Sequence, residues 1–232
     1  MDYTWNFKPL PPQAIVATLQ QELNISEPLA ILLAQRGVTT FQQAKDFFRP
    51  TLSQLHNPFL MKGMKEAVAR LDRALKSNET ILIYGDYDVD GTSAVSLMER
   101  YLSNFTSKLY TYVPDRYTEG YGISFQGIDY AEAQGCTLII ALDCGIKAID
   151  KIEYAKGKAI DFIIADHHRP SEQVPDAIAV LDPQQADCPY PYKELCGCGI
   201  GFKLVQAYQQ HLSRPFEEIR PLLDLVAIAT AA

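Results

Sequence analysis

The chain has 232 residues, 47% of them hydrophobic and 21% charged, with 13 Gly and 14 Pro, a make-up near the soluble globular average that excludes disordered, collagen-like and disulfide-scaffold proteins. Its 21 basic against 28 acidic side chains leave a formal charge of −7, which argues against a nucleic-acid binder working by bulk positive charge. Five cysteines at irregular spacing fit a reducing compartment. No apolar run nears the ~18 residues that span a bilayer, and Met1 to Leu10 lacks a basic-then-apolar leader, so the chain reads as cytoplasmic and not membrane-bound.

Residues 1–78 read as a helical segment. Pro11 and Pro12 precede an apolar-periodic stretch from Ala14 to Leu23, and Ser26, Glu27 and Pro28 start a second helix that Gly37 stops. Thr39 or Thr40 can cap a third, with Phe41, Ala44, Phe47 and Phe48, that Pro50 ends. Met61 to Leu75 is helical again. From residue 79 to 232 the pattern becomes short apolar runs alternating with crossover-length helices. Strands are expected at 81–84, 109–113, 137–142, 161–165 and 177–181, and helices at 93–102, 124–133 and 146–155. Near-continuous apolar strands mean burial on both faces, hence an α/β domain with a Rossmann-like parallel sheet flanked by helices. Ligands of such sheets bind beyond the carboxyl ends of the strands.

The residues at those ends are chemically unusual. The first strand runs into Gly85-Asp86-Tyr87-Asp88-Val89-Asp90-Gly91, the third into Asp143-Cys144-Gly145, the fourth into Asp166-His167-His168 and the fifth into Asp182-Pro183. Carboxylates from several strands in one crevice repel one another at neutral pH unless cations are bound. Hard oxygens with imidazole nitrogen suit Mn²⁺ or Mg²⁺. Two other readings of the first motif are weaker. As an EF-hand loop it would carry Leu97 where a bidentate Glu belongs, after a strand where a helix belongs. As a haloacid-dehalogenase-type nucleophile motif, Asp88 to Thr92 would leave Asp143 and the Asp-His-His triplet without a role.

The four segments Gly85 to Gly91, Val113 to Gly122, Asp143-Cys144-Gly145 and Ala165 to His168, in this order, resemble the DHH phosphoesterase superfamily and, within it, the RecJ-type single-strand-specific exonucleases. Gly197 to Lys203 and Leu225 to Ala232 are similar to further segments of that group. The resemblance implies a metal-dependent phosphodiesterase, a 5′-to-3′ single-stranded-DNA exonuclease of repair and recombination. It implies single-stranded DNA as substrate, and a single-stranded-DNA-binding protein and a helicase as partners. Other members of the superfamily act as phosphatases on oligonucleotides, cyclic dinucleotides or pyrophosphate, and a catalytically silent nucleic-acid-binding scaffold is a third possibility that the intact Asp and His positions argue against.

By the same resemblance Asp86, Asp88, Asp90, Asp143 and His167 hold two ions, Mn²⁺ or Mg²⁺, with Asp143 bridging. His168 then meets the scissile phosphate or assists proton transfer, and Asp166 orients the imidazoles. Two ions would activate water and neutralise the phosphodiester. Arg116 and the Gly120-Tyr121-Gly122 turn are expected to contact a substrate phosphate, since arginine binds phosphate bidentately and glycines allow close approach. Gly197, Gly199 and Gly201, before a helical run from Phe202, either cradle a phosphate at a helix amino end or permit tight helix-to-sheet packing. Cys188, Cys196 and Cys198 match no zinc-finger spacing. The chain ends inside an apolar run, as a fragment would, and the resemblance places a further metal-binding Asp and two more domains beyond it. The 232-residue piece is accordingly expected to be weak or inactive as an exonuclease by itself.

Overall fold

A computed structural model describes Thr4 and residues 6–232. Residues 1–55 and 56–232 form two compact units. In the first, α1 (Gln13–Leu23), α2 (Glu27–Ala34) and α3 (Phe41–Phe48) enclose a small core of Val16, Leu19, Ala30, Leu33, Val38 and Ala44. Asn24 and Gly37, both at positive φ, end α1 and close the turn after α2. The Thr40 hydroxyl caps α3 by accepting from the Gln43 N–H, as the sequence predicts.

The second unit runs α4 (Met64–Lys76), β1 (Thr80–Gly85), α5 (Val89–Leu102), β2 (Leu109–Tyr112), α6 (Phe125–Ala133), β3 (Cys136–Leu142), α7 (Ile149–Gly157), β4 (Asp161–Ala165), β5 (Ala179–Leu181), α8 (Gly197–His211) and α9 (Leu223–Ala231). Its five strands form one parallel sheet in the order β2-β1-β3-β4-β5. Strand side chains alternate between two cores. Ile81, Ile83, Leu138, Ile140, Leu142 and Ile163 join the cluster under α4, α5, α8 and α9; Leu82, Tyr84, Ile139, Ala141, Phe162 and Ile164 join the one under α6 and α7. Burial on both faces is why these runs read as unbroken apolar stretches.

The division into units falls after Leu55, whereas the sequence places it after Asn78. The cause is α4, whose stripe of Met64, Ala67, Val68, Leu71 and Ala74 is buried in the sheet's core. From the same helix the buried Arg70 donates to Asp161 Oδ2 at 2.6 Å and Glu79 Oε2 at 2.7 Å, tying α4 to the amino-terminal edge of the sheet. No helix among the described residues is long and apolar enough to cross a membrane, and all five cysteines are free thiols.

Candidate metal centre

The chain reverses its direction of winding between β1 and β3, which are neighbours in the sheet. This is the switch point where an open α/β sheet leaves a crevice at its carboxyl edge. The residues after β1 and β3 open into it. Helix α5 starts hard against the β1 end: a Cβ on Gly91 would lie 2.4 Å from the Asp86 carbonyl oxygen and 2.6 Å from its nitrogen. Only glycine permits that approach. Asp88 caps α5, its Oδ1 accepting from the Gly91 N–H at 3.0 Å.

Asp86 is fully buried, and neither carboxylate oxygen has a hydrogen-bond partner. Asp143 is nearly as buried, and its backbone takes the left-handed conformation at φ 61°, a strain that persists where surrounding structure enforces it. Its N–H donates to the Ala165 carbonyl at 2.9 Å, and its Oδ1 lies 3.1 Å from His167 Nε2, out of line for a hydrogen bond and with no other partner. His167 Nε2 is also 3.7 Å from Asp90 Oδ2. Two sets of donor atoms, Asp86/Asp88/Asp143 and Asp143/His167/His168, each lie within 4.8 Å of one another. Asp143 belongs to both.

The charges behave as the crowding requires. Burial pushes Asp143 up to about 6, against the neighbouring His167 imidazole and with the Asp90 and Asp88 charges. Burial also raises Asp86, and the Asp143 carboxylate raises His167. Burial tends to raise Asp166 too, but hydrogen bonds outweigh it and hold the carboxyl below its ordinary value. These bonds come from the His168 ring (2.7 Å) and the N–H groups of Ile146 (2.9 Å), His167 (2.7 Å) and His168 (3.1 Å). Asp166 is thus saturated within the protein, while Asp86 and Asp143 are buried acceptors lacking donors. An octahedral hard cation with ~2.1 Å bonds spaces adjacent ligand atoms about 3 Å apart. The Asp143–His167 separation matches that spacing, and the mixed oxygen and nitrogen donors fit Mn²⁺ or Mg²⁺.

The crevice is an open cavity of about 520 Å³ whose wall includes Asp88, Asp90, Asp143, His167, His168 and Cys196. The loop after β2 reaches its rim. Tyr121 Oη is 2.8 Å from His168 Nε2, Tyr121 packs edge-on against Tyr87, and the Arg116 guanidinium sits over the Tyr87 ring at 5.3 Å. Gly120 and Gly122 take φ near +80° with open space around them, and the Gly122 carbonyl accepts from the buried Tyr84 hydroxyl at 2.9 Å.

The glycines of α8 correct one expectation. They lie inside the helix rather than before it, and their amides are engaged: Gly197 and Cys198 donate to the two oxygens of Asp90, both at 2.7 Å, and Gly199 donates to Cys196 Sγ. The Gly197 and Gly199 amides are thus directed at protein acceptors. Of the two roles the sequence leaves open, packing is the one observed, since a Cβ on Gly197 would lie 2.5 Å from the Asp143 Cβ and Oδ1. Asp90 in turn serves as the amino-terminal cap of a helix 107 positions away, with a second lone pair on each oxygen left for a cation. Asp182, the acidic end of the fifth strand, adds a further carboxylate. It is fully buried, has one unpaired oxygen, and is pushed up to about 6 by burial.

A parallel sheet carrying acidic strand ends and an Asp-His-His turn defines a class, and the family model for the DHH family, N-terminal domain, matches residues 80–230. The chain belongs to that family. It is 41% identical over 222 residues to the single-stranded-DNA-specific exonuclease RecJ of Bacillus subtilis, covering 96% of this chain and 28% of that one. To RecJ of Escherichia coli it is 33% identical over 211 residues, covering 87% and 36%. The manganese complex of RecJ from Thermus thermophilus superposes with a TM-score of 0.74 at 25% identity, over 95% of this chain and 30% of that one. The chain thus spans about a third of the length of these relatives.

Proposed function

We propose that this chain carries the metal-binding edge of a cytoplasmic exonuclease that degrades single-stranded DNA from the 5′ end in repair and recombination. The observation that carries the reading is Asp143, a buried and strained carboxylate shared by two donor clusters, with an oxygen that no protein group satisfies. Asp86, Asp88, Asp90, Asp143 and His167 would hold two divalent ions, which when bound supply an activated water and neutralise charge on the phosphodiester.

The remaining roles belong to the chain's own groups. Asp166 fixes the His168 ring through Nδ1, so that Nε2 faces Tyr121 at the crevice rim and is placed to move a proton to or from the scissile phosphate. Arg116, held over Tyr87, offers a bidentate grip on a neighbouring phosphate, and the exposed face of Tyr121 offers a surface for a nucleobase. A helicase and a single-stranded-DNA-binding protein fit as the partners that supply the strand.

The test compares 5′-labelled single-stranded DNA, duplex DNA, a dinucleotide and pyrophosphate, each with Mn²⁺ and with EDTA, using the whole protein. Mn²⁺-dependent shortening of single-stranded DNA that Asp143→Ala abolishes supports the proposal. Preferred hydrolysis of the dinucleotide or pyrophosphate, or turnover retained in Asp143→Ala, overturns it.

A further inference from the structure

The first unit carries more apolar surface than its core uses. Phe41, Ala44 and Phe48 lie on one stripe of α3, yet only Ala44 is buried; Phe41, Phe47 and Phe48 are each at least half exposed, as is Leu29 of α2, and Leu32 nearly so. Two adjoining cavities of about 380 and 410 Å³, sharing Leu23 and Phe48, form the groove they border. A contiguous apolar patch of this kind on a small unit marks a binding surface.

Its charge is one-sided. Among the described residues, Arg36, Lys45 and Arg49 line the two cavities and no carboxylate does. The acid of α3, Asp46, is held by Gln42 at 2.9 Å. Residues 1–55 contain four basic and four acidic residues, so the whole net charge of −7 resides in residues 56–232. The cationic rim is therefore a local arrangement on an otherwise neutral unit.

We propose that this groove docks an acidic amphipathic helix of a protein partner, its leucine and phenylalanine side chains entering the two cavities and its carboxylates meeting Arg36, Lys45 and Arg49. The unit has no strand among its described residues, so strand addition has no edge to use and a helix laid in a groove is the mode that fits. Aliphatic walls of Leu23, Ile25, Leu29, Leu32 and Leu33 suit apolar side chains. Phe47 and Phe48 pack edge to face at 88°, so they present no parallel platform for stacked bases.

The probe is a fluorescein-labelled helical peptide with Leu and Phe at i, i+3, i+4 and i+7 and Glu elsewhere, titrated onto the 232-residue chain by anisotropy. Its Lys-for-Glu counterpart is the control. The Glu peptide is expected to bind at least about tenfold tighter than the Lys peptide, and Arg36→Glu/Lys45→Glu/Arg49→Glu to weaken it about tenfold, more at low salt. Phe48→Ser, at an exposed position, is expected to weaken it comparably, with the circular dichroism of both variants unchanged. Equal affinity for the two peptides, or binding indifferent to the triple variant, overturns the proposal. So does a surface that takes up a single-stranded oligonucleotide or anionic phosphatidylserine vesicles through these residues but not the Glu peptide.

Discussion

Gly197→Ala is expected to damage the metal centre without replacing any ligand. The added Cβ would sit 2.5 Å from both Cβ and Oδ1 of Asp143, whereas carbon atoms rest about 3.5–4.0 Å apart, so one side must yield by about 1 Å. Neither yields easily. Asp143 is fixed by its left-handed backbone and its bond to Ala165, and Gly197 by its bond to Asp90. Overpacking of this kind costs about 1–3 kcal/mol, and alanine recovers about 0.5–1 kcal/mol over glycine in a helix. The net loss, up to about 2.5 kcal/mol, corresponds to a melting temperature lower by up to roughly 10 °C in EDTA. Mn²⁺ affinity, measured by calorimetry, should fall about 10- to 100-fold, the usual consequence of disturbing the support of a ligand. Gly199→Ala is the control: the nearest atoms to its Cβ lie at 3.5 Å, so the helix gain stands alone and the variant should be as stable as the parent or more so, with unchanged Mn²⁺ binding. Parental Mn²⁺ affinity in Gly197→Ala, or equal losses in both variants, would refute the steric argument.

Three further outcomes follow from burial and charge. The Asp143 pKa is about 6 in the fold against about 3.9 unfolded, so its cost to stability is absent below pH 4 and reaches roughly 3 kcal/mol above pH 6; Asp143→Asn should raise the metal-free melting temperature at pH 7 but not at pH 4, by calorimetric scanning. Lys203, buried on α8, is lowered by burial to about 8, so the unfolded chain holds the extra proton between pH 8 and about 10.4 and this residue's contribution to stability rises with pH there. It is read as the difference in urea unfolding between parent and Lys203→Met, because burial raises several tyrosines and cysteines, which act oppositely in that window. Arg70→Ala removes two of the three ion pairs at the amino-terminal edge, leaving Asp161 with Arg73 and Glu79 with the Thr137 hydroxyl, which should cost about 2 kcal/mol in urea unfolding while Mn²⁺ affinity stays at the parental value.

The sheet and the gathering of ligands at its carboxyl edge were legible because both rest on short-range pattern. Unbroken apolar runs such as Leu138 to Leu142 could only be strands covered on two faces, and acids directly after them had to share an edge. What escaped depends on contacts between distant segments. Nothing near Asp90 signals that it caps α8, because its partners Gly197 and Cys198 come from a helix more than 100 positions further along the chain. Three glycines in five residues left phosphate binding and tight packing equally open, and only the fold shows Gly197 and Gly201 packed closely against Asp143 and Leu142. Asp182 stood in the sequence as one more acidic strand end without an assigned ligand role, and only its burial without a partner for one oxygen sets it apart. That α4 packs on the sheet was hidden for a related reason, since its apolar stripe has helical spacing whatever it packs on.

The central claim is that Asp143 joins two ion sites. Counting bound Mn²⁺ by electron paramagnetic resonance, in the parent chain and in Asp143→Asn, tests it most directly. Two ions in the parent and loss of both in the variant is the expected result. Two ions retained in the variant, or binding in the parent that Asp143→Asn leaves unchanged, would contradict it.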